Sequence, residues 1–155
     1  MPGAHESPEV VPPPAGTSPA PAFILIADDD AQLRQAMTHV LKRHGYVVEA
    51  VANGRAALEF LKHTRVSVVI TDIFMPDLDG LELINALRKS VPRPHLIAMS
   101  GGLQALPPDA LNIAQALGAE RTLCKPFEPA QLVHCVRETL ATYGTFKPAT
   151  PPTGR

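Results

Sequence analysis

The chain alternates short apolar runs with segments of helical periodicity, and this alternation limits its fold more than any other feature. Five runs are rich in apolar or β-branched residues and are too short to favour helices. They cover residues 23–27, 46–51, 66–71, 96–99 and 122–124. Continuous apolar character predicts strands that are buried on both faces, as in a parallel sheet.

The segments between these runs place apolar residues at helical spacing. In the first, Leu33, Met37 and Leu41 share one face, Asp30 is the expected N-cap, and Gly45 marks the end. The last helix is predicted over residues 128–143. Strand and helix alternate five times, which predicts an α/β, doubly wound, five-stranded parallel sheet with helices on both faces.

Proline separates the two ends of the chain from its middle. Seven of the 17 prolines lie in residues 1–22 and three more lie in residues 142–155. Such segments bury too little apolar area to offset the entropy lost on ordering. We therefore expect disordered tails at 1–22 and 144–155 around one domain at 23–143, with no separate output domain.

Composition excludes several classes of protein. The 14 basic and 15 acidic residues give a net charge of -1, and no basic stripe or helix-turn-helix segment indicates DNA binding. No apolar run approaches the ~18 residues of a membrane span, and no signal peptide is apparent. Two cysteines, Cys124 and Cys135, are too few for a disulfide framework, so we expect a cytoplasmic protein.

Polar residues follow the predicted strands where each strand ends. Asp28, Asp29 and Asp30 follow the first strand, and Asp72 follows the third. Ser100 and Lys125 follow the fourth and fifth strands. Ligands of open α/β sheets bind at this carboxyl edge.

Several carboxylates in one cleft repel each other, so their pKa values rise unless a cation neutralises them, and their hard oxygens suit Mg²⁺. An ammonium and a hydroxyl group could hold phosphoryl oxygens, and a carboxylate can attack phosphorus to form an acyl phosphate. These residue types predict phosphoryl chemistry. They do not identify which aspartate is the nucleophile.

Four motifs together resemble the receiver domain of bacterial response regulators. They are ILIADDD (24–30), VVITDIFMPDLDG (68–80), AMSGG (98–102) and LCKPF (123–127). The likeness runs from about residue 23 to residue 143. It implies the flavodoxin-like receiver fold with strand order 2-1-3-4-5.

The resemblance also implies a set of metal ligands. It makes Asp72 the phosphoacceptor and places Asp28 and Asp29 as the acidic pair beneath Mg²⁺, with Asp29 a direct ligand. Asp72 and the backbone carbonyl of Phe74 would complete the protein ligands. Phe74 is apolar where the family often has a polar residue, and we hypothesise that it shields the acyl phosphate from water.

The resemblance also implies which residues bind the phosphoryl group and take part in the conformational switch. Ser100 occupies the hydroxyl position of the switch, and Lys125 is expected to contact a phosphoryl oxygen. The Lys125–Pro126 peptide is expected to be cis, a form that costs little only before proline. The sequence departs from the family at Thr122, where an aromatic residue usually turns inward with the hydroxyl.

The implied function is that of a stand-alone signalling domain in a phosphorelay. A histidine kinase would donate the phosphoryl group from its phospho-histidine to Asp72. The domain would catalyse only its own phosphorylation and dephosphorylation, so it is not a conventional enzyme. It would signal by protein contact or by passing the phosphoryl group to a histidine phosphotransfer protein. We expect it to be a monomer or a weak dimer.

Two other functions are compatible with parts of the sequence. A receiver-like interaction module could keep the fold without being phosphorylated. A haloacid-dehalogenase-like phosphatase would use the Asp-x-Asp pair Asp28 and Asp30, with Asp28 as nucleophile. Gln32 stands where that motif usually has threonine or valine, which argues against the phosphatase.

Overall fold

The computed structural model describes residues 21–73, 75, 80–90, 92–101 and 110–143. Strands and helices alternate along this part of the chain: β1 Phe23–Ala27, α1 Ala31–Arg43, β2 Val47–Val51, α2 Gly54–His63, β3 Val68–Asp72, α3 Gly80–Leu87, β4 His95–Gly101, α4 Ala110–Leu117, β5 Arg121–Lys125 and α5 Pro129–Tyr143. Within the described residues, none of these helices has the length and apolarity to cross a membrane.

The strands form one parallel sheet in the order β2-β1-β3-β4-β5. Ile24 of β1 pairs with Val48 of β2 on one side and with Val68 of β3 on the other. β3 is fully buried and β1 is buried except at Phe23, which explains the continuous apolar runs in the sequence. The predicted doubly wound sheet and its strand order are confirmed.

Helices cover both faces of the sheet and bury two apolar layers. On one face, α1 and α5 pack through Met37, Leu41 and Val136. On the other, α2, α3 and α4 pack through residues that include Ala57, Ile84, Leu87 and Ala114. The core is therefore split by the sheet, as the alternation of strands and helices predicts.

Short polar residues begin the first two helices. The Asp30 side chain accepts hydrogen bonds from the backbone N–H groups of Gln32 and Leu33, which confirms the predicted N-cap. Gly45 follows α1 with a φ of 89°, where a side chain would be strained. The Asn53 side chain caps α2 by accepting a hydrogen bond from the backbone N–H of Ala56, and the helix begins at Gly54.

The strands extend further toward the carboxyl edge than the sequence predicted. Ser100 and Gly101 were expected to stop the fourth strand, yet both belong to β4. Gly101 pairs with Lys125, so the ladder continues to the ends of β4 and β5. Asp72 is likewise the last residue of β3. The polar residues of this edge are therefore held by the sheet itself.

Candidate functional site

The side chains at the ends of β1, β3 and β5 converge on one point. Lys125 Nζ lies 2.6 Å from Oδ2 of Asp28 and 2.7 Å from Oδ2 of Asp72. In the sheet, β4 separates β5 from β3, and both β4 and β3 separate β5 from β1. The long lysine side chain therefore reaches past one strand to Asp72 and past two strands to Asp28. The structure thus brings together three residues that the sequence placed at the carboxyl edge.

Asp28 has no exposed side-chain surface and is held by several hydrogen bonds. Its backbone N–H donates to the carbonyl of Val51, and its Oδ1 accepts from the N–H of Asp30 at 2.9 Å. Arg34 donates to the Asp28 carbonyl at 2.7 Å, a contact that the sequence analysis did not predict. Burial raises the pKa of the Asp28 carboxyl, although the hydrogen bond from Lys125 opposes the shift.

Lys125 remains a cation in this environment. Burial by itself would lower the pKa of its ammonium group. Hydrogen bonds to Asp28 and Asp72, together with their negative charges, outweigh burial, so the pKa of Lys125 lies above its usual value. A fixed positive charge therefore faces both carboxylates.

Asp72 lies at the junction of β3 with the start of α3. Its side chain keeps 11% of its surface exposed, and its backbone carbonyl accepts a hydrogen bond from the Thr71 hydroxyl at 2.9 Å. Gly80, the first residue of α3, packs so closely that a Cβ there would overlap the Asp72 carbonyl. Gly80 also donates from its N–H to the carbonyl of Ile73.

This close approach was not foreseen from the sequence. The signal that could have found it is the glycine that closes the Asp-Leu-Asp-Gly segment before a helix. Glycine is favoured where backbone must approach backbone closely.

Asp28, Asp29 and Asp72 form the carboxylate cluster. Each offers an oxygen within 4.8 Å of the others. Asp29 is exposed, whereas Asp28 and Asp72 are buried. Three carboxylates and one ammonium carry a formal charge of -3 + 1 = -2 when all are ionised. The donor set consists of hard oxygens and fits a small divalent cation such as Mg²⁺.

The remaining predicted residues lie on β4, on β5 and in the segment after β5. Ser100 is buried and pairs with Cys124, beside the row in which Gly101 pairs with Lys125. Thr122 is half-buried and pairs with Ala98, two residues further from the edge. The Lys125–Pro126 peptide bond is cis.

Part of the predicted site lies outside the described residues. Phe74, which was predicted to supply a backbone carbonyl and to shield the acyl phosphate, is not described. Residues 76–79 and Gly102 are not described either. Their predicted roles remain predictions.

A cavity of about 320 Å³ opens beside Lys125. Asp30 and Leu33 line it from the start of α1, and Pro126 and Phe127 line it from the segment between β5 and α5. Leu33, Pro126 and Phe127 make its wall largely apolar, and Asp30 and Lys125 are its charged members.

The sequence matches the response regulator receiver domain family over residues 24–137. The chemotaxis protein CheY of Thermotoga maritima is 32% identical over 117 residues, which span 74% of this chain and 94% of that protein. The DNA-binding transcriptional regulator NtrC of Azospirillum brasilense is 35% identical over 119 residues, which span 77% of this chain but only 24% of NtrC.

Solved structures show the same architecture. The chemotaxis protein CheY4 of Vibrio cholerae is similar with a TM-score of 0.71 and 32% sequence identity. The match covers 78% of this chain and 100% of that structure.

Proposed function

This chain belongs to the response regulator receiver domain family of two-component signalling, and from that membership we propose that it accepts a phosphoryl group on Asp72. The observation that carries the proposal is the position of Lys125 Nζ, 2.7 Å from Asp72 and 2.6 Å from Asp28. A cation fixed beside an aspartate at the carboxyl edge suits the charge that develops during phosphoryl transfer.

Asp72 is the better nucleophile of the two buried aspartates. Its side chain is 11% exposed, whereas that of Asp28 has no exposed surface. A phosphorus atom in a donor could therefore approach an oxygen of Asp72 but not one of Asp28. This difference supports Asp72 as the acceptor and leaves the phosphatase hypothesis, which needs Asp28 as nucleophile, without support.

The step exchanges one bond to phosphorus for another. An oxygen of Asp72 forms a bond to phosphorus while the bond from phosphorus to the donor histidine nitrogen breaks. The imidazole keeps the electron pair of that bond, and the product is an acyl phosphate. Lys125 is positioned to donate to a phosphoryl oxygen, and Ser100 at the end of β4 is proposed to donate from its hydroxyl group.

Asp28, Asp29 and Asp72 are the residues that would hold Mg²⁺, together with the predicted carbonyl of Phe74. Their cluster carries the excess negative charge that a divalent cation offsets. When bound, the ion supplies Lewis-acid stabilisation of negative charge on the phosphoryl oxygens.

The donor in this proposal is the phospho-histidine of a histidine kinase. The cavity lined by Leu33, Lys125 and Phe127 supports this choice of donor. A kinase segment docked there would contact Lys125, which lies 2.7 Å from Asp72. The phosphorylated domain then acts by protein contact or passes the group to a histidine phosphotransfer protein. Thr122 lacks the ring of the family's aromatic switch, so the response is proposed to rely on Ser100.

The test is acyl-phosphate formation on the full chain with a small phosphodonor and Mg²⁺. Intact mass spectrometry should detect one added phosphoryl group on the wild-type protein and none on Asp72→Asn. Asp30→Asn is the matched control because residue 30 caps α1 and lies outside the carboxylate cluster. This variant should be labelled like the wild type.

Two results would contradict the proposal. A wild-type protein that takes no label with Mg²⁺ present would be a receiver-like interaction module instead. Label that persists on Asp72→Asn but disappears with Asp28→Asn would move the nucleophile to Asp28.

A further inference from the structure

A second cavity lies at the opposite edge of the sheet from the carboxylate cluster. It has a volume of about 310 Å³ and lies between the end of α2, the start of β3 and the end of α3. We call it the basic cavity and define it by Leu61, Lys62, Arg65, Val66, Leu87 and Pro94. Val66 precedes β3, whose last residue is Asp72, so the length of a strand, roughly 15 Å, separates the two edges.

The charge of the basic cavity differs from that of the whole chain. Lys62, His63 and Arg65 line it, and no carboxylate is present among the described residues that do so. The chain as a whole carries a net charge of -1. Arg88 and Lys89 follow α3 nearby and are exposed. The local excess of positive charge favours an anionic partner.

The ordinary role of cations at the end of a helix explains only part of this pattern. Lys62 and His63 belong to the last turn of α2, where they suit the helix dipole, and both lie near Glu59. Arg65 lies beyond the C-cap residue Thr64 and has no ion pair with any other described residue. Its exposed guanidinium is therefore available to a carboxylate on another protein.

The cavity floor is apolar. Leu61, Val66 and Leu87 line it together with Pro92 and Pro94. A cavity of this size holds one or two side chains, and its apolar floor beneath a basic rim complements a segment with both apolar and acidic residues. Phe, Tyr and Trp side chains, on which nucleic-acid bases stack most readily, do not line it among the described residues.

We propose that the basic cavity docks an acidic segment of a partner protein that inserts an apolar side chain between α2 and α3. Because the cavity lies away from Asp72, such a partner could bind with or without phosphorylation. The proposal is therefore independent of the proposed phosphoryl transfer.

The test measures binding of fluorescent peptides to the full chain by anisotropy. The probe is a hexapeptide of glutamates and two leucines, and its matched peptide has glycines in place of the leucines. The leucine peptide should bind saturably and more tightly than the glycine peptide. Arg65→Glu should weaken its binding at least about tenfold, and Arg65→Gln should have a smaller effect.

Arg55→Glu is the matched control. It makes the same charge change on an exposed residue at the other end of α2, and it should alter affinity by less than about twofold. Asp72→Asn should bind like the wild type, which separates this proposal from the phosphorylation site. Thermal unfolding of each variant checks folding, and Arg65→Gln decides the result if Arg65→Glu does not fold.

Three outcomes would overturn the proposal. Equal effects of Arg65→Glu and Arg55→Glu would show that the affinity depends on the overall charge of the protein and not on the basic cavity. Equal affinity for the two peptides would show that the apolar floor of the cavity does not contribute to binding. Tighter binding of a single-stranded oligonucleotide, weakened by Arg65→Glu, would make the surface a nucleic-acid site.

Discussion

Lys125 donates a 2.7 Å hydrogen bond to Asp72 across 53 residues of sequence. This contact ties the end of edge strand β5 to the end of β3 and crosses β4 to do so. A single ammonium group therefore influences the charge, the geometry and the stability of the carboxyl edge.

Replacement of Lys125 by Met should destabilise the protein and slow the proposed phosphorylation of Asp72. The change leaves Asp28, which is fully buried, beside Asp72 without a cation. We expect a loss of about 1–3 kcal/mol in the free energy of unfolding, below the usual cost of breaking a buried pair because Lys125 is partly exposed. Urea unfolding measures the loss, and acyl-phosphate formation should slow at least about tenfold.

The destabilisation should shrink as the pH falls. Burial raises the pKa of Asp28 in the folded protein above its ordinary value of 3.8, so the folded state binds its proton more readily than the unfolded state does. Stability of Lys125→Met in metal-free buffer should therefore increase as the pH falls from 7 toward that value. Lys89→Met, which removes an exposed lysine, should show no such recovery. Equal pH profiles for the two variants would contradict this account.

Gly80→Ala should be markedly more damaging than Gly101→Ala. A Cβ at residue 80 would overlap the Asp72 carbonyl, whereas a Cβ at residue 101 would meet no atom of the described residues within 4 Å. We expect Gly80→Ala to cost about 2–3 kcal/mol and Gly101→Ala less than about 1 kcal/mol by urea unfolding. Similar costs would show that α3 can shift away from β3 at little expense.

Glu120 should contribute to stability through a backbone hydrogen bond. Its Oε2 accepts from the N–H of Leu96 at 2.6 Å, and its Oε1 lies 3.5 Å from Arg93. Glu120→Ala leaves the buried N–H of Leu96 without this acceptor and should cost about 1–3 kcal/mol. Glu120→Gln keeps an oxygen and should cost less. If thermal unfolding shows equal losses for both variants, the charge matters more than the hydrogen bond.

The two cysteines should react with thiol reagents at different rates. Cys124 is exposed and Cys135 is buried. Burial also raises the pKa of the Cys135 thiol above its ordinary value of 9.0, so its reactive thiolate forms only at higher pH. At pH 8, labelling of the Cys135→Ala variant, which retains Cys124, should be at least about tenfold faster than labelling of Cys124→Ala. Equal rates would show that α5 opens readily.

Local patterns in the sequence were sufficient to predict the architecture. The apolar run of β1, the Asp30 cap and Gly45 after α1 each depend on a few neighbouring residues, and the structure has all three. The rule that parallel strands end at one edge then placed Asp72 and Lys125 together. These predictions succeeded because strand burial, helix capping and turn conformation are set over short distances along the chain.

The ends of the strands could not be predicted in the same way. Ser100 and Gly101 have the composition of a turn, yet they extend β4 because Cys124 and Lys125 lie opposite them in the sheet. Hydrogen-bonding partners 24 residues away decide whether such residues form a strand. The Arg34 contact to the Asp28 carbonyl is a similar case, since a helix has to pack before its side chain can reach that oxygen.

The sequence by itself determined the five-fold alternation, the covered parallel sheet and the gathering of polar residues at its carboxyl edge. Only the tertiary structure distinguished the fully buried Asp28 from the slightly exposed Asp72, placed Lys125 between them and brought Gly80 against the Asp72 carbonyl. The physical reason is that exposure and side-chain contacts depend on how elements distant in sequence pack together, whereas strand and helix preferences are local.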